Sequence, residues 1–238
     1  MELQSLFSLL LANAYPGRGI FLGRSADNAR AVIAYFIMGR SENSRNRIFL
    51  PTADGIRTVA FDPAKMTDPS LIIYHPVRTV GGTTIVTNGD QTDTIADAFK
   101  RGEGWVRALR SRVFEPDAPN YTPRISGMMR QDGSYRLAIL KSAAGNPACC
   151  QRFFYEYDAP PAGMGHLIST YQGDGNPLPS FEGEPRAVAL DHAAIDDFSA
   201  CLWESLNTDN RVSLFVEFID LATGNIETKI INQHQSEG

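Results

Sequence analysis

The sequence predicts an α+β protein in which two mainly antiparallel sheets stack on each other and helices cover their outer faces. Most of the 238 residues break into short apolar runs separated by Gly, Asp and Pro turns, the pattern of hairpins. Helical periodicity is confined to the N-terminus, to residues 92–113 and to residues 193–206. One run, residues 31–38, is apolar on both faces, which requires a layer on either side.

Taken in order, the chain opens with Leu3, Leu6, Phe7, Leu10 and Leu11 at helical spacing, an amphipathic helix packed on the body. Glu2 stands where a secretory leader carries its basic region, so no signal peptide is expected. Strands are expected at 20–23, 31–38, 47–50, 55–61, 71–77 and 83–87, with Gly81-Gly82 as the hairpin turn between the last two. The period then changes: Ile95, Ala96 and Phe99 share a helical face, and a second helix is expected over 105–113, before Pro116 and Pro119. Strands resume at 122–129 and 135–140 across Asp132-Gly133, then at 152–157 and 166–171. A loop rich in glycine, proline and acid, 173–185, serves as a lid over a pocket or as a subunit contact. It precedes a helix over 193–206 and closing strands at 212–219 and 226–231. No repeat or linker divides the chain. A single domain over 1–238 is expected, with a helical extension over about 1–13.

A net charge of -5 excludes a broad basic surface for nucleic acid but leaves room for a local basic pocket. The basic residues are nearly all arginine, the lysines being Lys65, Lys100, Lys141 and Lys229. Cys149, Cys150 and Cys201 form no Cys-x-x-Cys pair, and His75, His166, His192 and His234 are scattered singly. Neither structural zinc nor a disulfide framework is expected. Adjacent Cys149 and Cys150 would point to opposite faces of a strand, which favours packing over redox chemistry. Such thiols suit a reducing cytoplasm, and no run approaches the roughly 18 apolar residues of a membrane span.

Several standard signatures are absent. Gly17-x-Gly19-x-x-x-Gly23 is one residue too long for a dinucleotide fingerprint, and there is no phosphate loop, nucleophile elbow or His-Glu-x-x-His. What stands out is residues 34–47, where an apolar strand stops at Gly39 and delivers Arg40, Arg45 and Arg47 among serines and asparagines. Guanidinium forks grip carboxylate or phosphate, so an anionic small molecule is the natural ligand; a solvated loop of surface arginines is the alternative. Two further polar clusters sit at strand ends, residues 74–78 and residues 87–94. The second sets Asn, Thr and Asp beside a helix N-terminus, suited to a ribose, base edge or phosphate, or else simply caps the helix through Thr92 or Asp93.

Read together and in order, these clusters are Tyr15-x-Gly17-Arg18, Ala34-Tyr35 with Arg40-Ser41 and Asn46-Arg47, and Ile73-Tyr74 with Val77-Arg78. They continue with Asn88-Gly89-x-x-Thr92-Asp93-Thr94-Ile95-Ala96-Asp97, Thr122-Pro123-Arg124-Ile125 and Ile168-Ser169-Thr170-Tyr171. This series resembles the archaeal-type IMP cyclohydrolase family, whose members also occur in bacteria. The likeness runs from Tyr15 to about Tyr171; the Asn-Gly-x-x-Thr-Asp-Thr-Ile-Ala-Asp motif is specific, whereas Thr-Pro-Arg-Ile alone is not.

The resemblance implies a four-layer α-β-β-α fold like that of the N-terminal-nucleophile hydrolases, used without an N-terminal nucleophile. It implies closure of 5-formamidoimidazole-4-carboxamide ribonucleotide to inosine monophosphate with loss of water, the last step of purine biosynthesis. The family's catalytic Arg, Tyr and Glu fall on Arg47, Tyr74 and Glu115, the last with its spacing to Arg124 one residue off. Arg47 is expected to stabilise charge on the formyl oxygen, Tyr74 to donate to it, and Glu115 to move protons or orient the carboxamide. Arg18, Arg40 and Arg124 are the candidates for the phosphate, and Asn88, Thr92 and Asp93 for ribose or base. Asn46 and Gly89 complete the expected substrate contacts. The chemistry calls for no cofactor and no metal. The expected partner is a purine ribonucleotide, with neither nucleic acid nor membrane, and a homo-oligomer is compatible with the sequence. The competing readings are a purine-nucleotide-binding protein of the same descent without catalysis, and an amide hydrolase on the related fold.

Overall fold

The computed structural model describes residues 3–234. One antiparallel sheet comprises β1 (Arg18–Arg24), β2 (Arg30–Met38), β10 (Met164–Ser169), β11 (Arg186–Ala189), β12 (Arg211–Asp220) and β13 (Ile226–Asn232), in the order β11-β10-β1-β2-β12-β13. The other is a meander in which every neighbour in space is a neighbour in sequence. It runs through β3 (Arg47–Thr52), β4 (Gly55–Ala60), β5 (Val77–Val80), β6 (Thr83–Thr87), β7 (Arg124–Arg130), β8 (Tyr135–Ala143) and β9 (Asn146–Tyr157).

The doubly apolar run of β2 explains the stacking. Successive side chains of a strand point to opposite faces. Ile33, Tyr35 and Ile37 enter a core between the two sheets with Phe49, Val86, Ile125 and Leu137. Val32, Ala34, Phe36 and Met38 enter a second core under α1 (Leu6–Leu11) and α5 (Ile195–Ser205), with Leu6, Leu10, Phe198 and Trp203. A third core lies on the far face of the meander. There α3 (Gln91–Lys100) and α4 (Trp105–Arg110) bury Ile95, Trp105 and Leu109 against Met128 and Leu140. Helices therefore flank both sheets, and no helix among the described residues is long and apolar enough to cross a membrane.

Four expectations need correction. Residues 71–76 are not a strand: the segment crosses β4 irregularly, held by Thr58, whose backbone N–H and hydroxyl both bond to Tyr74 O. Pro76 brings no backbone donor, and ladder pairing starts only at Val77. Leu11, placed on the apolar face of the first helix, is 69% exposed: Leu6 and Leu10 are buried in the core under α5 and Phe7 meets Phe198, while Leu11 points away. The second helix ends at Arg110, where the Ser111 hydroxyl bonds back to Ala108 O, and Val113 beyond it is 53% exposed. Finally, β11, between the expected loop at 173–185 and the expected helix at 193–206, is a strand that was not expected; it pairs with β10, while Ser5 bridges to Ala189 at its end and so ties the N-terminal segment to this sheet.

Candidate active site

Three arginines open three strands at the same end of the sandwich: Arg18 begins β1, Arg47 begins β3 and Arg124 begins β7. All three are buried, Arg47 completely. A buried guanidinium normally has its five donors engaged. Here Arg47 donates from Nε to Ser44 O at 2.8 Å, while its Nη1 and Nη2 meet no protein partner, and the Nε atoms of Arg18 and Arg124 are likewise free. Facing them is Glu115, 2% exposed, with Oε1 also unpartnered.

The electrostatics record how closely these groups face one another. Burial pushes the Glu115 carboxyl up to about 7, although Arg18, Arg124 and Arg47 all pull it down. Burial likewise pulls the Arg47 guanidinium below its ordinary value, the Tyr74 phenol opposes this, and repulsion from Arg18 adds to it. Burial acts the same way on Arg18, but Glu115, Tyr171, Tyr74 and Tyr15 outweigh it and hold its proton firmly. Both arginines stay charged at neutral pH, and the carboxyl is divided between its two forms.

Tyrosines wall this charged pocket. Segment 71–76 turns Tyr74 inward, where its hydroxyl lies 2.8 Å from that of Tyr35 in β2. Tyr171 stacks on Tyr15 at 6.0 Å, and its hydroxyl meets the Thr122 hydroxyl at 2.5 Å, which Asp117 also holds. Arg40 lies at the rim with its guanidinium 5.1 Å above the Tyr15 ring, and donates to Asp174 Oδ1 at 2.6 Å and Gly175 O at 2.9 Å. The 173–185 loop is thereby tied to the edge of the pocket.

The structure thus brings Arg47, Tyr74, Glu115, Arg18 and Arg124 together and sets Arg40 at their margin. It places the other expected residues in supporting bonds. Asn46 exchanges both ends of its amide with the Asp62 backbone at 2.7 Å. Asn88 donates to Pro123 O and accepts from Ile125 N and Gln91 Nε2. The Thr92 hydroxyl meets Thr87 and Gly89 O rather than capping the helix, whose N-cap residue is Asp90. A side chain at Gly89 would run into Arg124 Nη1. Asp93 lies in a different cluster, with Arg78 at 3.0 Å and His75 at 3.6 Å. Of the three arginines in residues 40–47, only Arg47 enters the pocket; Arg45 bonds Gly39 O and Asn210.

Sequence reasoning passed over Tyr35, Tyr171, Gln91 and Asp90. Gln91 Oε1 takes Arg124 Nη1 at 2.6 Å, and Asp90 takes the same nitrogen at 2.8 Å and Arg112 from the other side. Tyr35 and Tyr171 belong to two of the motifs, so for them the signal was present without a role attached, whereas Asp90 and Gln91 are the two unspecified positions of the Asn-Gly-x-x-Thr motif. A second cavity of about 670 Å³ lies between α1 and the outer face of β10, among Leu9, Leu10, Asn13, Leu167, Phe181 and Val188; it shares Tyr171 with the charged pocket, but none of the buried arginines lines it. No cluster of three potential metal ligands occurs among the described residues.

Known proteins place the chain in a family. The family model described as IMP cyclohydrolase-like protein matches residues 15–225, nearly the whole chain and all of the pocket residues. The chain belongs to this family. Proteins named IMP cyclohydrolase are similar to it. One from Halobacterium salinarum is 31% identical over 153 residues, covering 60% of this chain and 76% of its own. One from Methanococcus maripaludis is 34% identical over 128 residues, 51% of this chain and 61% of its own. One from Methanopyrus kandleri is 28% identical over 171 residues, 70% and 79% respectively. Within an IMP cyclohydrolase-like chain, the pocket holds guanidinium nitrogens without protein partners, a carboxyl near neutrality and a phenol.

Proposed function

We propose that this protein closes 5-formamidoimidazole-4-carboxamide ribonucleotide to inosine monophosphate with release of water. The observation that carries the reading is the set of buried polar atoms without protein partners, Arg47 Nη1 and Nη2 and Glu115 Oε1, meeting in one pocket. Such atoms are costly unless a ligand completes them.

Each group has a task in the reaction. The carboxamide nitrogen is a weak nucleophile attacking a formyl carbon in the same molecule, so holding the two together is worth on the order of 7 to 11 kcal/mol of barrier. As the C–N bond forms, the carbonyl electrons move onto oxygen, where Arg47 stabilises them. Glu115 takes a proton from the attacking nitrogen and Tyr74 gives one to the oxygen. Glu115 then returns its proton to that hydroxyl, which leaves as water, while the formamido nitrogen gives its proton back to the Tyr74 oxygen, forming the ring C=N and restoring both groups. A carboxyl near pH 7 is present in both forms, as a group that accepts and returns protons requires. Arg18 and Arg124 hold the anionic substrate from within, and Arg40 takes the phosphate at the rim. Asn46, Asn88, Gly89 and Thr92 shape the wall that positions these cations.

The same reading carries an N-terminal-nucleophile-hydrolase-like fold, a single domain and a cytoplasmic setting, supported by the stacked sheets with flanking helices and by the family. The deciding experiment is the cyclisation assay with purified protein in the presence of chelator. Formation of inosine monophosphate, slowed at least tenfold by Tyr74→Phe, supports the proposal; tight purine-nucleotide binding with no turnover selects the non-catalytic alternative.

A further inference from the structure

Tyr35 stands in the middle of β2 with no exposed surface, its ring stacked on Phe49 at 5.8 Å. Its hydroxyl has one hydrogen-bond partner among the described residues, the Tyr74 hydroxyl at 2.8 Å, and its charged neighbours are the guanidiniums of Arg18 and Arg47, which offer donors and no acceptor. Tyr74 differs in access: it enters from outside the sheets and is 7% exposed, although both phenols lie near Arg18 and Arg47. One proton lies between the two oxygens, and the surroundings decide whose it is. Were Tyr74 the donor, the Tyr35 proton would be left buried with no acceptor, since the nearby guanidiniums only donate, the arrangement folded proteins avoid. With Tyr35 as donor, both phenols are satisfied, because the Tyr74 proton then points into the pocket where a ligand or water can accept it.

We propose that Tyr35 is a positioning residue for ring closure: it donates its hydroxyl proton to Tyr74 and so turns the Tyr74 proton toward the substrate oxygen. The inference rests on the reading of Tyr74 as the phenol that faces the formyl oxygen. Hydrogen bonds in series polarise one another, so the bond from Tyr35 also steadies the Tyr74 oxygen as its own proton leaves. Tyr35 touches no substrate; it acts through Tyr74 alone.

The test is a double-mutant cycle on the full chain. Tyr35→Phe keeps the ring that packs on Phe49 and removes only the donor. The expected result is a kcat about tenfold lower with KM within about twofold. Tyr35→Phe/Tyr74→Phe is then expected to be no slower than Tyr74→Phe alone, since a residue acting through Tyr74 loses its effect when that hydroxyl is gone. An unchanged kcat in Tyr35→Phe overturns the inference, as does an equal further loss in the double variant. A second measurement does not depend on turnover. With 13Cζ-labelled tyrosine, the Tyr74 carbon is expected to shift in Tyr35→Phe, and an unmoved signal removes the pairing. If the unsubstituted protein forms no product, the functional reading falls, while the labelled-tyrosine spectrum still tests the pairing of the two phenols.

Discussion

Two clusters of charge, both reached from the seven-stranded sheet, treat arginine in opposite ways. In the outer cluster, Arg78 of β5 gives Nε and Nη2 to Asp54 Oδ2 at 2.8 and 2.6 Å and Nη1 to Asp93 at 3.0 Å, so the whole fork is used. Desolvation is the largest single influence on the Asp54 carboxyl, but the bonds and charge of Arg78 together outweigh it and hold the carboxyl down, while the bond to Asp54 holds the Arg78 guanidinium up. In the inner cluster, Arg47 is buried, leaves both terminal nitrogens without partners and has its proton loosened by burial. The first arrangement joins β5 to the start of α3 and to the turn before β4. The second sacrifices stability to keep donors free, and free buried donors are what a ligand can use.

The contrast is sharpest at Arg47. Arg47→Met is expected to lower kcat on the order of a hundredfold to a thousandfold, as loss of an oxyanion donor does, while leaving urea stability unchanged or raised. A marked loss of stability would break the comparison, because it would mean that Arg47 holds the fold. Glu115→Gln comes next, with turnover falling on the order of a hundredfold. Its stability effect has a definite sign. The folded carboxyl, at about 7, lies above its unfolded value, so the native state binds the extra proton between the two and wild-type stability falls as pH rises through that window. The amide does not titrate, so the variant is expected to gain on wild type from pH 5 to pH 8 in parallel thermal melts.

Arg78→Ala is the mirror image. Turnover should stay within about twofold, and stability should drop by about 1 kcal/mol, a modest figure because the group is 21% exposed. That loss should fade below the usual carboxylate range, since the partner Asp54 contributes only while ionised. The smallest effect is expected at the rim. Asp174→Asn releases Arg40 from its ion pair, and KM for the phosphorylated substrate should fall about threefold, in line with an exposed pair. Unchanged KM would take Arg40 out of phosphate binding.

The meander was legible because its turns are written locally: Gly81 and Gly82 both adopt positive φ, as a tight hairpin demands, and Asp132-Gly133 marks the next. The stacked layers were legible in β2, whose alternate residues divide between two cores. Segment 71–76 misled because Leu71, Ile72, Ile73 and Tyr74 have strand composition, yet their partner is a single threonine rather than a ladder. Arg47 and Glu115 stood out by type and order, but their burial depends on packing of the two sheets, which no local pattern records. Tyr35 was concealed for the opposite reason: on a strand face filled by Ile33 and Ile37, a tyrosine reads as core.

The placement of the tryptophans has a practical consequence. Trp105 belongs to α4 over one sheet and Trp203 to α5 over the other, and the pocket itself is built from tyrosines. Each outer layer thus carries its own fluorophore. A Trp105→Phe protein would report melting of the α1/α5 side alone, and a Trp203→Phe protein that of the α3/α4 side. Together they would show by emission whether the two faces of the molecule come apart in one step or in sequence.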